Sequence, residues 1–212
     1  MKRVLVNFLA WLSLLGGSAA VAAETPPDVL VKKTSEEVLT ILRQDKEIQS
    51  GSQKKILDLV ETKVLPHFDF NRMTMLAVGK YWPRATPAQQ QALTNEFRTL
   101  LVRTYSNSLT AYKDQVIEYK PLKMQPGDTE AVVKVVVNQP GGQPVPIDYS
   151  LEKTAGGWKV YDVVVDNVSL VTNYRSSFGQ EIRDRGIDGL IKTLADKNRS
   201  ESGQKSPTAK KK

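Results

Sequence analysis

Apolar residues in the first half of the chain return every three or four positions. In "PDVLVKKTSEEVLTILRQD" Leu30, Val31, Val38, Ile41 and Leu42 share one side, with charges opposite. In "SQKKILDLVETKVLPHF" Ile56, Leu59, Val60 and Val64 repeat the pattern and stop before Pro66. Both spacings predict amphipathic helices. A third, longer helix is announced by Thr86 as N-cap, Pro87 at the first helical position and Gln89 completing a capping box. From there Leu93, Phe97, Leu100, Leu101, Tyr105, Leu109 and Tyr112 form a continuous apolar stripe.

Further along, the period changes to two. "VIEYKPL" reads as a strand, and "EAVVKVVVNQ" sets Ala131, Val133, Val135 and Val137 on one face. "PVPIDYSLEK" alternates Val145, Ile147, Tyr149 and Leu151 with Asp148, Ser150 and Glu152. "QPGGQP" and "TAGG" have the composition of hairpin turns. "WKVYDVVVD" closes the meander, and its consecutive Val163, Val164 and Val165 offer apolar surface to both faces of a sheet. Ser169 then caps a helix carrying Val171, Tyr174, Phe178 and Ile182, and Gly186 precedes a closing helix with Ile187, Leu190, Ile191 and Leu194 inward. Helices, an antiparallel meander and helices again describe an α+β domain with helices on one face of about four strands. No internal repeat interrupts it.

The two ends read differently from the middle. Lys2 and Arg3, an apolar run from Val4 to Leu15 and small residues ending at Ala22-Ala23 predict a cleavable secretory signal over residues 1–23. The competing reading, an uncleaved anchor, needs roughly 20 apolar residues, and this run is shorter. The mature chain is expected to begin near Glu24 and to be exported. It has no cysteine, so it must stand on its core rather than on disulfides. The tail from Arg199 to Lys212 is too polar to pack and predicts disorder. Of the formal charge of +7, two positive charges leave with the signal and a net four lie in the tail, so residues 24–198 keep +1. A nucleic-acid binder would carry a basic face on the folded part. Near-balance argues against one.

Catalytic chemistry is sparse. The single His67 follows Pro66 at a helix end, where a capping or core role suits it better than catalysis. There is no HExxH and no metal-ligand spacing, and Asp69 and Ser169 are placed as helix N-caps. An isomerase-type site made of Tyr and Asp in an apolar cone stays open as an alternative.

"FDFNRMTMLAVGKYWPRATPAQQQALTNEFRTLLVRTYSNSL", then "GWKVYDVVVDNVSLVTNYRSSFGQEI" and "GIDGLIKTLADK", resemble the MlaC family, also called toluene-tolerance auxiliary proteins. The resemblance covers nearly all of residues 24–198 in order, and "SLVTNYRSSF" after a W-x-V-x-D strand is its most specific phrase. It implies a cone-like fold related to nuclear transport factor, a curved sheet enclosed by helices around an internal apolar cavity. It further implies a periplasmic protein that holds a diacyl phospholipid, tails inside and headgroup outside. The implied partners are an outer-membrane lipoprotein–porin complex and an inner-membrane ABC transporter with its substrate-binding hexamer. No cofactor and no catalysis are implied; direction of transfer is left open. The candidate lining residues face both the sheet and the long helix: Phe97, Leu101, Tyr105, Val133, Val135, Tyr149, Leu151, Val163 and Val165, with Tyr174 near the mouth. Arg175 either meets the lipid phosphate or enters a structural ion pair. A carrier of another apolar ligand would have the same cavity.

Overall fold

The computed structural model describes residues 25–106, 108–109 and 115–203. The segment read as a signal, Tyr112 and the last part of the tail lie outside them. Among the described residues no helix is long and apolar enough to cross a membrane.

The helical layer comes first. α1 (Pro27–Gln44) starts on a proline, which is preorganised for the first turn, and buries Val31, Val38 and Leu42. α2 (Lys46–Gln49) is capped by Asp45, whose carboxylate accepts from Glu47 N and Ile48 N. α3 (Gln53–Leu59) runs into a π-helical turn at Val60–Val64 and a 3₁₀ turn at Leu65–His67, so the expected second helix loosens before it reaches Pro66. Ile48, Ile56 and Leu59 close a small core with Val38 and Leu42 of α1. α4 (Phe70–Val78) is capped by Asp69, which accepts from Arg72 N at 2.8 Å. The amide of Asp69 also donates to Val160 O at 2.8 Å, tying the start of this helix to the sheet. A 3₁₀ turn at Gly79–Arg84 leads to α5 (Pro87–Ser106). Its capping box forms as the sequence predicts: Thr86 N donates to Gln89 Oε1 at 3.0 Å, and Gln89 N to Thr86 Oγ1 at 3.2 Å.

The sheet is an antiparallel meander with strands in chain order. It comprises β1 (Val116–Tyr119), β2 (Glu130–Asn138), β3 (Val145–Thr154), β4 (Gly157–Val165) and β5 (Val168–Ser169). The α+β class matches the expectation. The fifth strand is an addition, two residues folded back on β4 by a tight turn in which Asp166 and Asn167 take φ of 48° and 64°. Two left-handed residues in a two-residue loop suit the twist of a hairpin, and Asp and Asn tolerate that region best among residues with side chains.

α6 (Leu170–Gly203) follows at once, with Ser169 Oγ accepting from Thr172 N at 3.0 Å. Gly186, at φ 74° and ψ 180°, breaks it into the two expected helical segments. The second segment passes the boundary that composition sets after residue 198. Asn198 Nδ2 donates to Glu96 O at 3.0 Å and to Glu96 Oε2 at 2.7 Å, and Arg103 donates to the Asn198 carbonyl, which anchors this turn on α5. α4, α5 and α6 enclose the main helical core, where Phe97 and Leu93 are 0% exposed.

Candidate functional site

One face of the sheet is apolar across its breadth. The register sets Ala131 opposite Leu151, Val133 opposite Tyr149 and Val135 opposite Ile147. On the next strand Leu151 pairs with Val160, Tyr149 with Val163 and Ile147 with Val165. A register shift between Ser150 and Leu151 leaves Tyr161 as an extra residue on β4. This bulge keeps Val160 and Val163 on one face although they are an odd number of residues apart. Ala131, Val133, Leu151, Trp158, Val160 and Val163 form a single cluster with Val31 of α1, and Leu30 packs against it.

Cover over this face is uneven. Toward one end Leu151 is fully buried between Ala131 and Val160, and along β2 burial continues through Val133 to Val135. Toward the other, Val137, Val145, Ile147, Tyr149 and Val165 are only half-buried. An apolar surface extending past its covering helix is what distinguishes this region from an ordinary core.

The acids of the sheet lie on the opposite face. Glu130 and Glu152 are directly opposed across β2 and β3, an arrangement that would repel. Arg72 of α4 pairs with both, and its guanidinium lies 3.7 Å from the centre of the Tyr161 ring. Lys134 pairs with Asp148 on the same face. Asp162 binds the turn into α6, accepting from Ser169 Oγ at 2.6 Å, Val163 N at 2.8 Å and Val171 N at 3.2 Å. Val164, the middle valine, pairs with Asp148 and Ser169 and so lies on this side. Only Val163 and Val165 of the three valines serve the apolar face.

The sequence candidates therefore fall into two places. Val133, Val135, Tyr149, Leu151, Val163 and Val165 come together on the sheet. Phe97, Leu101 and Tyr174 belong to the helical core. There Phe97 makes edge contacts with Tyr174 and Phe178, ring centres 5.1 and 5.2 Å apart. Tyr105 is 36% exposed in the last turn of α5 rather than turned toward the sheet. Phe68 touches both clusters and is the hinge between them. Arg175 forms no ion pair among the described residues. Its Nε donates to Leu76 O at 2.9 Å, satisfying a carbonyl of the last turn of α4.

Two titratable groups mark these environments. Burial, followed by the neighbouring Tyr119, pushes the Tyr149 phenol up to about 12. It is thus a neutral hydroxyl at any physiological pH. Burial, then the charge of Lys159, lowers the imidazole of half-buried His67, which agrees with a structural place in the 3₁₀ turn. Among the described residues no group of three or more His, Asp or Glu side chains is placed to hold a metal ion.

An open antiparallel sheet with one apolar face, covered by helices at one end, defines an α+β domain built around a partly enclosed apolar surface. The model of the MlaC protein family matches residues 32–196, and the chain belongs to that family. It is 32% identical to the toluene tolerance protein ttg2D of Pseudomonas putida over 196 residues, covering 92% of this chain and 87% of that one. Against the intermembrane phospholipid transport system binding protein MlaC of Haemophilus influenzae the identity is 24% over 173 residues, 80% of each chain. Among solved structures it resembles a phospholipid-binding protein from Ralstonia solanacearum in complex with a phospholipid. That match has a TM-score of 0.77 and 36% identity, and covers 85% of this chain and 99% of the other.

Proposed function

We propose that this protein is a periplasmic phospholipid carrier that shields acyl chains against the apolar face of its sheet. The observation that carries the reading is the pair of continuous apolar rows Val133–Tyr149–Val163 and Val135–Ile147–Val165, free of acids and only half-buried at Tyr149, Ile147 and Val165. Membership of the MlaC family and the phospholipid in the related Ralstonia structure supply the ligand class. Each buried methylene is worth about 0.8 kcal/mol, so burying the two tails of one lipid approaches an upper bound of roughly 20–25 kcal/mol. A lipid held that strongly does not escape into water. It must be handed to a partner or a membrane, and the partners implied are an outer-membrane lipoprotein–porin complex and an inner-membrane ABC transporter with its substrate-binding hexamer. Such transfer would maintain the lipid asymmetry of the outer membrane. An enzyme of similar shape would need an acid facing the apolar interior. Here Glu130, Asp148 and Glu152 are on the other face and ion-paired.

The reading places the sheet residues at the lipid and the Phe97–Tyr174–Phe178 aromatic group in the scaffold that supports it. Mass spectrometry of an organic extract from the purified mature protein tests it. Diacyl phospholipid near one per chain is expected. A different apolar molecule at that ratio would make the protein a carrier of another class, and an empty extract from folded protein would end the proposal.

A further inference from the structure

A groove of about 550 Å³ lies between the Gly79–Arg84 turn and α6, lined by Met75, Leu76, Val78, Lys80, Tyr81 and the α6 residues Arg175, Gly179 and Arg183. None of these belongs to the sheet. Arg175, Gly179 and Arg183 follow one another at four-residue steps, which sets them on one side of the helix. Gly179 leaves the space between the two arginines open; a Cβ there would lie 3.6 Å from Arg183 Nη1 and 3.9 Å from Tyr81. The opposite wall begins at Gly79, whose φ of 61° turns the chain sharply out of α4 and is strained for any residue with a side chain.

Three cations thus share one concave surface in a domain whose net charge is close to zero. Elsewhere Arg103 donates to the Asn198 carbonyl, and several arginines have acidic partners: Arg72 with Glu130 and Glu152, Arg98 with Glu61, Arg185 with Glu181. Lys80, Arg175 and Arg183 have none among the described residues. Arg175 bonds the Leu76 carbonyl through Nε, and Arg183 donates to Gln180 Oε1. The nearby Asp184 carboxylate accepts instead from Gln180 Nε2, at 2.7 and 2.9 Å. Unneutralised like charges brought together in a groove repel one another until an anion enters.

We propose that this groove is a phosphate site, by which the protein docks on the headgroup of an anionic phospholipid at a membrane surface. Guanidinium forks match phosphate oxygens two at a time, and a tetrahedral group can meet donors from both walls at once. The apolar floor of Leu76 and Val78 suits the glycerol end of a phosphodiester better than a hydrated free ion. A polypeptide spreads its carboxylates along an extended chain, whereas these cations converge. The site extends the carrier reading but stands without it, because it needs no lipid in the apolar site.

The test is co-sedimentation of the full chain with vesicles of phosphatidylcholine alone or mixed equally with phosphatidylglycerol. Two neutralised cations should weaken binding to the mixed vesicles by about tenfold or more, given roughly 1 kcal/mol per basic residue near such a surface. The variant is Lys80→Gln with Arg183→Gln; Arg175 is kept because it caps α4. A control with Lys33→Gln and Lys46→Gln removes the same charge elsewhere and should leave binding within about twofold. The basic tail is common to all chains and cancels. Gly179→Leu fills the groove at constant charge and should weaken binding too, with folding checked by circular dichroism. The proposal is overturned if the control loses as much as the groove variant, if folded Gly179→Leu binds normally, or if the wild type ignores phosphatidylglycerol. Binding of inorganic phosphate or polyglutamate without binding of vesicles overturns it as well. Lipid extracted from the groove variant should equal the wild type. An empty extract thus refutes the carrier reading, and indifference to vesicles refutes this one.

Discussion

The seam between α5 and α6 and the apolar face of the sheet are built from similar residue types yet are closed differently. In the seam, Leu93 and Phe97 are 0% exposed and Leu100 is 1% exposed, with Phe178 and Tyr174 filling the space around the Phe97 ring. On the sheet, burial is complete at Leu151 and fades toward Ile147, Tyr149 and Val165. The seam satisfies itself. The sheet carries more apolar surface than α1 covers, and the proposed carrier role assigns that surplus to a ligand. On that reading stability and binding fall to different parts of one domain, and changes to one need not disturb the other.

The largest effect that separates them is expected at Phe97. Phe97→Ala removes a ring that touches two others in a sealed core, and such truncations cost about 3–5 kcal/mol. Urea denaturation should show that loss, while lipid bound per folded chain stays close to normal. A mild stability change with loss of lipid would reverse the assignment and put Phe97 in the binding site. The counterpart is Val165→Asp, at the half-buried end of the sheet. A carboxylate there would be desolvated by an acyl chain, so lipid per folded chain should fall roughly tenfold while the apo protein keeps most of its stability. Glu152 on the polar face is not a neutral control, since Arg72 holds it in a half-buried pair. Val132, 43% exposed on that face, is the right one. Val132→Asp should change neither quantity appreciably.

The parts of this fold written locally could be read without coordinates. The Thr86–Gln89 box and the Asp69 and Ser169 caps depend on residues three apart, and all three formed. The faces of β2 and β3 follow from strict alternation. The choice of Val163 and Val165 also agrees with the register, although the bulge that puts them in phase with Val160 involves Tyr161, which no local signal marks. What helical periodicity cannot say is which neighbour an apolar stripe will meet. The stripe containing Phe97 and Leu101 was expected against the sheet and meets α4 and α6 instead, so one proposed lining divides into a core and a surface. The pairing of Arg72 with Glu152 spans 80 positions, and the convergence of Lys80 with Arg183 joins two helical segments; neither leaves a trace in spacing.

The smallest effect expected is also the finest probe of the sheet face. The Tyr149 phenol is held protonated to about 12, against 10.0 for a free one, by burial first and Tyr119 second. The folded state therefore keeps its proton where the unfolded chain gives it up. Stability from this group is fully present below pH 10 and is lost as pH rises from there through the folded value. Tyr149→Phe abolishes the term and little else, since the ring remains to pack opposite Val133 and Val163. Between pH 9 and 11 the wild type should lose about 1 kcal/mol more than the variant, measured as the difference between their denaturation curves. Groups that do not interact with Tyr149 are common to both chains and drop out, leaving Tyr149 and its neighbour Tyr119. Curves that stay parallel through pH 11 would mean water reaches the phenol freely. In that case the half-covered end of the sheet is open solvent, and the acyl chains must lie nearer Leu151.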